Sequence, residues 1–328
     1  MKDFKDLRIV FMGTPEFAVA SLDALLKAGA NIVGVITAPD KASGRGLHIS
    51  QSPVKKFAVE NNLHLLQPDK LKNEVFIEEL KSLHADIQVV VAFRMLPEVV
   101  WNMPPMGTIN LHGSLLPQYR GAAPINWAVI NGEKETGVTT FKLQHAIDTG
   151  NILLQKKFPI EENDTAGTVH DKMKLIGAEL LVETIKGLAT GNITEKKQTD
   201  IAEDNLKTAP KIFTETCLIN FDKSVGEIYN LIRGLSPFPA AFTKLKEKIL
   251  KIYFAEKETI QHNEPPGKII SDNKTFLKIA CSNGYISLKD VQIEGKKKIE
   301  YPRFFKRLQN RIKLSFHLQI TLKRKSRN

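Results

Sequence analysis

Cysteine is almost missing from this 328-residue chain: Cys217 and Cys281 are the only two, far apart and outside any CxxC pairing. A disulfide framework is thereby excluded, and a zinc site of the usual kind lacks ligands, so no metal is expected and a reducing compartment fits. No stretch approaches the ~20 apolar residues needed to span a bilayer, and the opening Met1-Lys2-Asp3-Phe4-Lys5-Asp6 holds no apolar signal-peptide region. A soluble, cytoplasmic protein is the expectation, and monomer the simplest oligomeric state. Two phosphate-binding signatures are missing as well. The first turn after a strand-like run, Gly13-Thr14-Pro15, has one glycine rather than G-x-G-x-x-G, and no G-x-x-x-x-G-K-[ST] occurs, which disfavours nicotinamide dehydrogenases, kinases and ATPases. Internal repeats are lacking too.

What is there divides unevenly. The net charge of +11 comes wholly from the second half: residues 1 to 208 hold 23 Lys+Arg against 25 Asp+Glu, and residues 209 to 328 hold 24 against 11. A neutral first half and a half with net +13 fit a catalytic body with an accessory domain that grips a polyanion, although basic domains without such partners are common.

The hydrophobic pattern of the first half is that of βαβ units. Leu7 to Phe11 forms a short apolar run; Phe17, Leu22, Leu25 and Leu26 recur at helical spacing; Gly29 sits where a helix C-cap belongs; Ile32 to Ile36 is the next β-rich run. Val54 to Val59 and Asn73 to Leu83 read as helices, Ile87 to Ala92 and Thr108 to His112 as strands. The architecture expected is α/β, an open, mostly parallel, Rossmann-like sheet with helices on both faces. Thr168 to Leu188 reads as a helix, and the polar stretch after Gly191-Asn192 as a linker. Beyond it, a helix over Val225 to Arg233 and short strands at Lys248 to Ala255, Thr275 to Ala280 and Tyr285 to Val291 predict a small barrel. The domains expected are therefore 1–190, a linker 191–208, a basic domain 209–310, and a basic tail 311–328 in which Leu314, Phe316, Leu318, Ile320 and Leu322 alternate with polar residues.

Chemistry concentrates in Asn110-Leu111-His112-Gly113-Ser114-Leu115-Leu116-Pro117, followed by Arg120-Gly121-Ala122-Ala123-Pro124 and, later, Asp148-Thr149-Gly150. Residues two apart on a strand face the same way, so Asn110 and His112 project together near the carboxyl end of the strand, where open α/β sheets bind ligands. Moving an acyl group to an amine needs a donor for the developing oxyanion, an imidazole, and a carboxylate to orient it. Asn110, His112 and Asp148 supply one each. The incoming amine is the nucleophile, so no serine or cysteine is required. A lone histidine is more often a solvated or satisfied side chain, which is how the other seven are read; Asp148 by itself suits a turn as well as a catalytic role. Lys41, Arg45, Lys55 and Lys56, interspersed with Gly44 and Gly46, make a loop able to move and meet phosphates.

These runs resemble the formyltetrahydrofolate-dependent formyltransferases. The stretch Gln118 to Ile125, the loop Pro39-Asp40-Lys41 to Gly44-Arg45-Gly46 and Ser52-Pro53-Val54-Lys55 look like the branch acting on methionyl-tRNA, over residues 7 to about 308. The resemblance implies a folate-binding catalytic domain followed by an OB-like barrel that grips the acceptor arm. It implies 10-formyltetrahydrofolate as co-substrate and methionyl initiator tRNA as partner. Asn110 and His112 would polarise the formyl oxygen, with Asp148 pairing with His112. Phe93, Arg94 and Met95, with Ser114, Leu115, Leu116 and Pro117, would hold the folate, and Lys41 and Arg45 would reach the tRNA. The same chemistry on an amino-sugar nucleotide or a small ribonucleotide is the alternative; it needs the same three polar residues but no basic second domain. Two departures stand out: Leu47-His48 where the family often has two lysines, and Phe238 where an indole is frequent.

Overall fold

The computed structural model describes residues 2–43, 48–199, 205–245, 247–272 and 275–300. Arg45 and the tail 311–328 lie outside the described residues. The chain separates into two compact units, one of residues 1–124, 135–159 and 170–210, the other of residues 125–134, 160–169 and 211–328.

The first unit is built on seven strands in the order Ile152–Pro159, Glu135–Lys142, Thr108–His112, Ile87–Val91, Arg8–Gly13, Asn31–Ile36, Leu65–Leu66. From Thr108–His112 onward every pairing is parallel; Glu135–Lys142 pairs antiparallel with both Thr108–His112 and Ile152–Pro159. Arg8–Gly13 and Ile87–Val91 are central because they are apolar on both faces, and nearly every residue in them is buried. Helices cover both sides. Phe76 and Leu80, from a helix capped by Asn73, pack on Val10, Met12 and Val90. On the other face, the long helix Ala166–Thr190 brings Gly177 so close to Leu111 that an added Cβ would lie 3.0 Å from it. Leu111 therefore points at that helix, and its neighbours Asn110 and His112 point away from it.

The second unit packs the helix Val225–Gly234, started by a Ser224–Glu227 capping box, on an antiparallel sheet. Its strand order is Ala241–Leu245, Lys248–Thr259, Gly284–Ile293, Leu277–Cys281, Ile269–Ser271. Register irregularities at Ile252, Phe254 and Ala255 bend the longest strand, as a small barrel requires. Ile228 and Ile232 of the helix share a core with Leu250, Ile252, Ile279, Ile286 and Val291. Two earlier segments complete this unit. Asn126 donates its amide to the Gly234 carbonyl at 2.8 Å, and Arg233, 5% exposed, donates to the carbonyls of Glu161 at 3.3 Å and Asp164 at 3.0 Å. A boundary drawn only at residue 209 leaves those segments out. The stretch read as a linker is, where described, folded against the first unit: Lys196 pairs with Ile152, and Thr208–Ala209 pairs with Arg120–Gly121.

Candidate active site

Thr108–His112 ends at the carboxyl edge of the sheet, and the chain then turns through 113–119 and reverses. Thr139, on the neighbouring strand and fully buried, shapes that turn. Its hydroxyl donates to the Ser114 carbonyl at 2.6 Å and accepts from the Leu116 amide at 3.1 Å and from Gln155 Nε2 at 2.9 Å. Gln155 donates as well to the Leu116 carbonyl at 2.9 Å, and the buried Ser114 hydroxyl is spent on the Gln118 carbonyl at 2.6 Å. The turn is thus tied down by side chains whose partners lie within it.

His112 is buried, its ring edge-on to Phe141. Its Nε2 lies 2.9 Å from the Tyr119 carbonyl. A carbonyl only accepts, so Nε2 carries the proton and donates. The other nitrogen, Nδ1, faces Asp148 Oδ2 at 3.8 Å, too long for a direct hydrogen bond and wide enough for one substrate atom to sit ~2.8 Å from each. The same carboxylate oxygen accepts from the Gly121 amide at 2.9 Å. Asp148 has left-handed backbone, φ 54°, which a non-glycine residue adopts at a cost of about 1 kcal/mol or more. The surrounding structure holds it there: Gln198 Nε2 donates to the carbonyls of Asp148 at 3.0 Å and Gly150 at 2.6 Å. Asn110, half-buried, shares its strand face with His112, and no hydrogen bond engages its amide among the described residues.

The structure therefore brings His112 and Asp148 together and sets Asn110 one pleat earlier on the same face. Of the residues expected around the folate, Phe93 is half-buried against Val10, Met12 and Val90, and Met95 is 77% exposed. The Arg94 guanidinium stacks over the Phe93 ring and donates to the carbonyls of Pro68 and Asp69, its pKa lowered by burial. Leu116 is buried, Leu115 and Pro117 partly so. Lys41 is exposed at the start of a hairpin, Lys41–Ser43 with His48–Ser50. Beside it, Asp40 accepts from Lys55 at 2.5 Å and from Gln67 at 3.0 Å, which holds its carboxyl below the usual range.

Sequence reasoning missed Thr139, Gln155 and Gln198. Each is an uncharged polar residue in a stretch with no motif, so the sequence offered no signal for it.

The family model described as formyl transferase matches residues 7–185, and that described as formyl transferase, C-terminal domain, matches residues 211–309. The methionyl-tRNA formyltransferase of Parabacteroides distasonis is 54% identical over 308 residues, covering 92% of this chain and 95% of that protein. Its namesake from Bacteroides thetaiotaomicron is 51% identical over 302 residues, covering 90% and 94%. Among solved structures, a sugar 3N-formyl transferase in the presence of dTDP and 5-N-formyl-THF superposes with a TM-score of 0.65 at 24% identity, covering 89% of this chain and 99% of that one. The N-formyltransferase from Helicobacter canadensis, in complex with folinic acid and dTDP-3-aminofucose, gives 0.66 at 24% identity, covering 86% and 98%. At that identity the two structures share the fold.

Proposed function

Because the chain belongs to the methionyl-tRNA formyltransferases of the formyl transferase family, we propose that it moves the formyl group of 10-formyltetrahydrofolate to the α-amino group of methionine esterified to initiator tRNA. The product, N-formylmethionyl-tRNA, serves translation initiation. The observation that carries the mechanism is the 3.8 Å gap between His112 Nδ1 and Asp148 Oδ2.

With Nε2 fixed as a donor to Tyr119, His112 offers Nδ1 to the amine. The amine nitrogen attacks the formyl carbon; its proton passes toward Nδ1, and the imidazolium so formed is stabilised by the Asp148 carboxylate. Asn110 donates an N–H to the oxyanion that the formyl oxygen becomes. The tetrahedral adduct collapses as the bond from carbon to the folate nitrogen breaks and that nitrogen takes a proton. Atoms balance: one amine proton is lost, one folate N–H is gained. Phe93, Arg94 and Met95 with Ser114 to Pro117 border the folate on this reading, and Lys41 with Arg45 meets the tRNA acceptor end. The second unit carries the chain's positive charge to the polyanion.

An amino-sugar acceptor rests on shared fold alone, at 24% identity, whereas the methionyl-tRNA enzymes match over nine-tenths of the chain at half identity or more. The test is transfer of labelled formyl from 10-formyltetrahydrofolate to methionyl initiator tRNA, run beside an amino-sugar nucleotide. Label in the aminoacyl-tRNA supports the reading. Label in the sugar alone would replace it.

A further inference from the structure

Gln198 lies in the polar stretch that sequence reading gives to a linker, yet it is buried and every hydrogen-bonding valence of its amide is engaged at the active site. Nε2 donates to the carbonyls of Asp148 and Gly150 at 3.0 and 2.6 Å. Oε1 accepts from Arg120 Nε at 3.2 Å and Nη2 at 2.9 Å. The amide orientation follows from chemistry: two carbonyls on one side can only accept, and a guanidinium on the other can only donate. Arg120 is followed by Gly121, whose amide donates to Asp148 Oδ2. The contacts close a ring running Arg120, Gln198, Asp148, Gly121, with the left-handed Asp148 inside it.

We propose that Gln198 is a positioning residue: held by Arg120, it fixes the backbone of Asp148 and Gly150 so that the carboxylate stays aimed at His112. This rests on the reading above that His112 and Asp148 are the reacting pair. Without those two donated bonds, the strained turn at 148 relaxes toward ordinary backbone and the carboxylate moves away from Nδ1. A displacement near 1 Å at a reacting group is enough to cost ~100-fold in rate.

Two variants test it by steady-state kinetics with 10-formyltetrahydrofolate and methionyl-tRNA, from pH 6 to 8.5. Gln198→Glu keeps the acceptor for Arg120 but turns the donor edge into a carboxylate facing two carbonyls. Gln198→Met keeps the length and loses both functions. Expected for Gln198→Glu is a ~10- to 100-fold lower kcat at pH 8, with KM for methionyl-tRNA within about twofold. Gln198→Met should show a similar deficit in kcat, again with KM little changed. Both variants within twofold of wild type in kcat overturn the proposal, and so does a loss in both that is accompanied by an equal rise in KM and a fall in melting temperature. If Gln198→Glu does not fold, the split between kcat and KM in Gln198→Met decides alone. An inactive wild type strikes at the reaction itself; an active wild type with unaffected variants strikes only at Gln198.

Discussion

The Tyr119 carbonyl and the Asp148 carboxylate flank the His112 ring, the first 2.9 Å from Nε2 and the second 3.8 Å from Nδ1. One contact fixes the tautomer and the other leaves a gap the size of a reacting atom. Tyr119 is itself in left-handed backbone, φ 59°, with its amide donating to the Lys207 carbonyl. Both partners of the imidazole are thus held in strained turns by residues between 196 and 209.

Asn110→Ala removes the side chain assigned to the oxyanion while leaving the strand pairing of Thr108–His112 intact. The expected result is a kcat lower by ~10²- to 10³-fold, with folate affinity little changed. Rapid-quench measurement of the chemical step separates this from slow product release.

Gly121 sits at φ 124°, and a Cβ there would lie 2.5 Å from the Ala209 carbonyl. Gly121→Ala must shift either the 208–209 strand or the Gly121 amide that donates to Asp148. Activity should fall by more than tenfold, whereas Gly107→Ala, where nothing lies within 4 Å, should leave kcat unchanged and show only the small stability cost of its positive φ.

Arg233 is buried, stacks over Tyr229, and donates to Asn230 and to the carbonyls of Glu161 and Asp164. Burial lowers its pKa, and its partners are arranged for a planar fork. Arg233→Met should destabilise by about 2 to 3 kcal/mol by stranding those acceptors, and Arg233→Lys should recover little of it. Denaturant melts of the full chain give the answer. The same contacts predict that a fragment starting at residue 211 is less stable than the second unit in the whole protein.

Binding to methionyl-tRNA should weaken steeply as salt rises, because residues 209 to 328 carry net +13 and cation release from phosphates drives association. Filter binding between 50 and 200 mM salt gives the slope; a flat line contradicts the role assigned to the basic half.

Much of this was legible in the chain, for identifiable reasons. The strand Thr108–His112 and the helix Val225–Gly234 follow their apolar periodicity within a residue. The antiparallel strands Glu135–Lys142 and Ile152–Pro159 did not show. The first buries Thr136, Thr139 and Thr140, so polar letters fill core positions; the second is an edge strand whose exposed Gln155, Lys156 and Lys157 break any alternation, as edges tend to do. The second unit's borrowed segments, 125–134 and 160–169, were invisible because no local pattern records a distant acceptor such as the Asp164 carbonyl. The stretch holding Gln198 was read as a linker for a similar reason: a glutamine among charged residues looks alike whether its amide meets water or two buried carbonyls.

The most direct test of the central claim is single-turnover formyl transfer to methionyl initiator tRNA by wild type, His112→Ala and Asp148→Asn. The account predicts rapid N-formylmethionyl-tRNA formation by wild type and a loss of ~10²- to 10⁴-fold in either variant, with tRNA binding retained. Wild-type rates in either variant would contradict it.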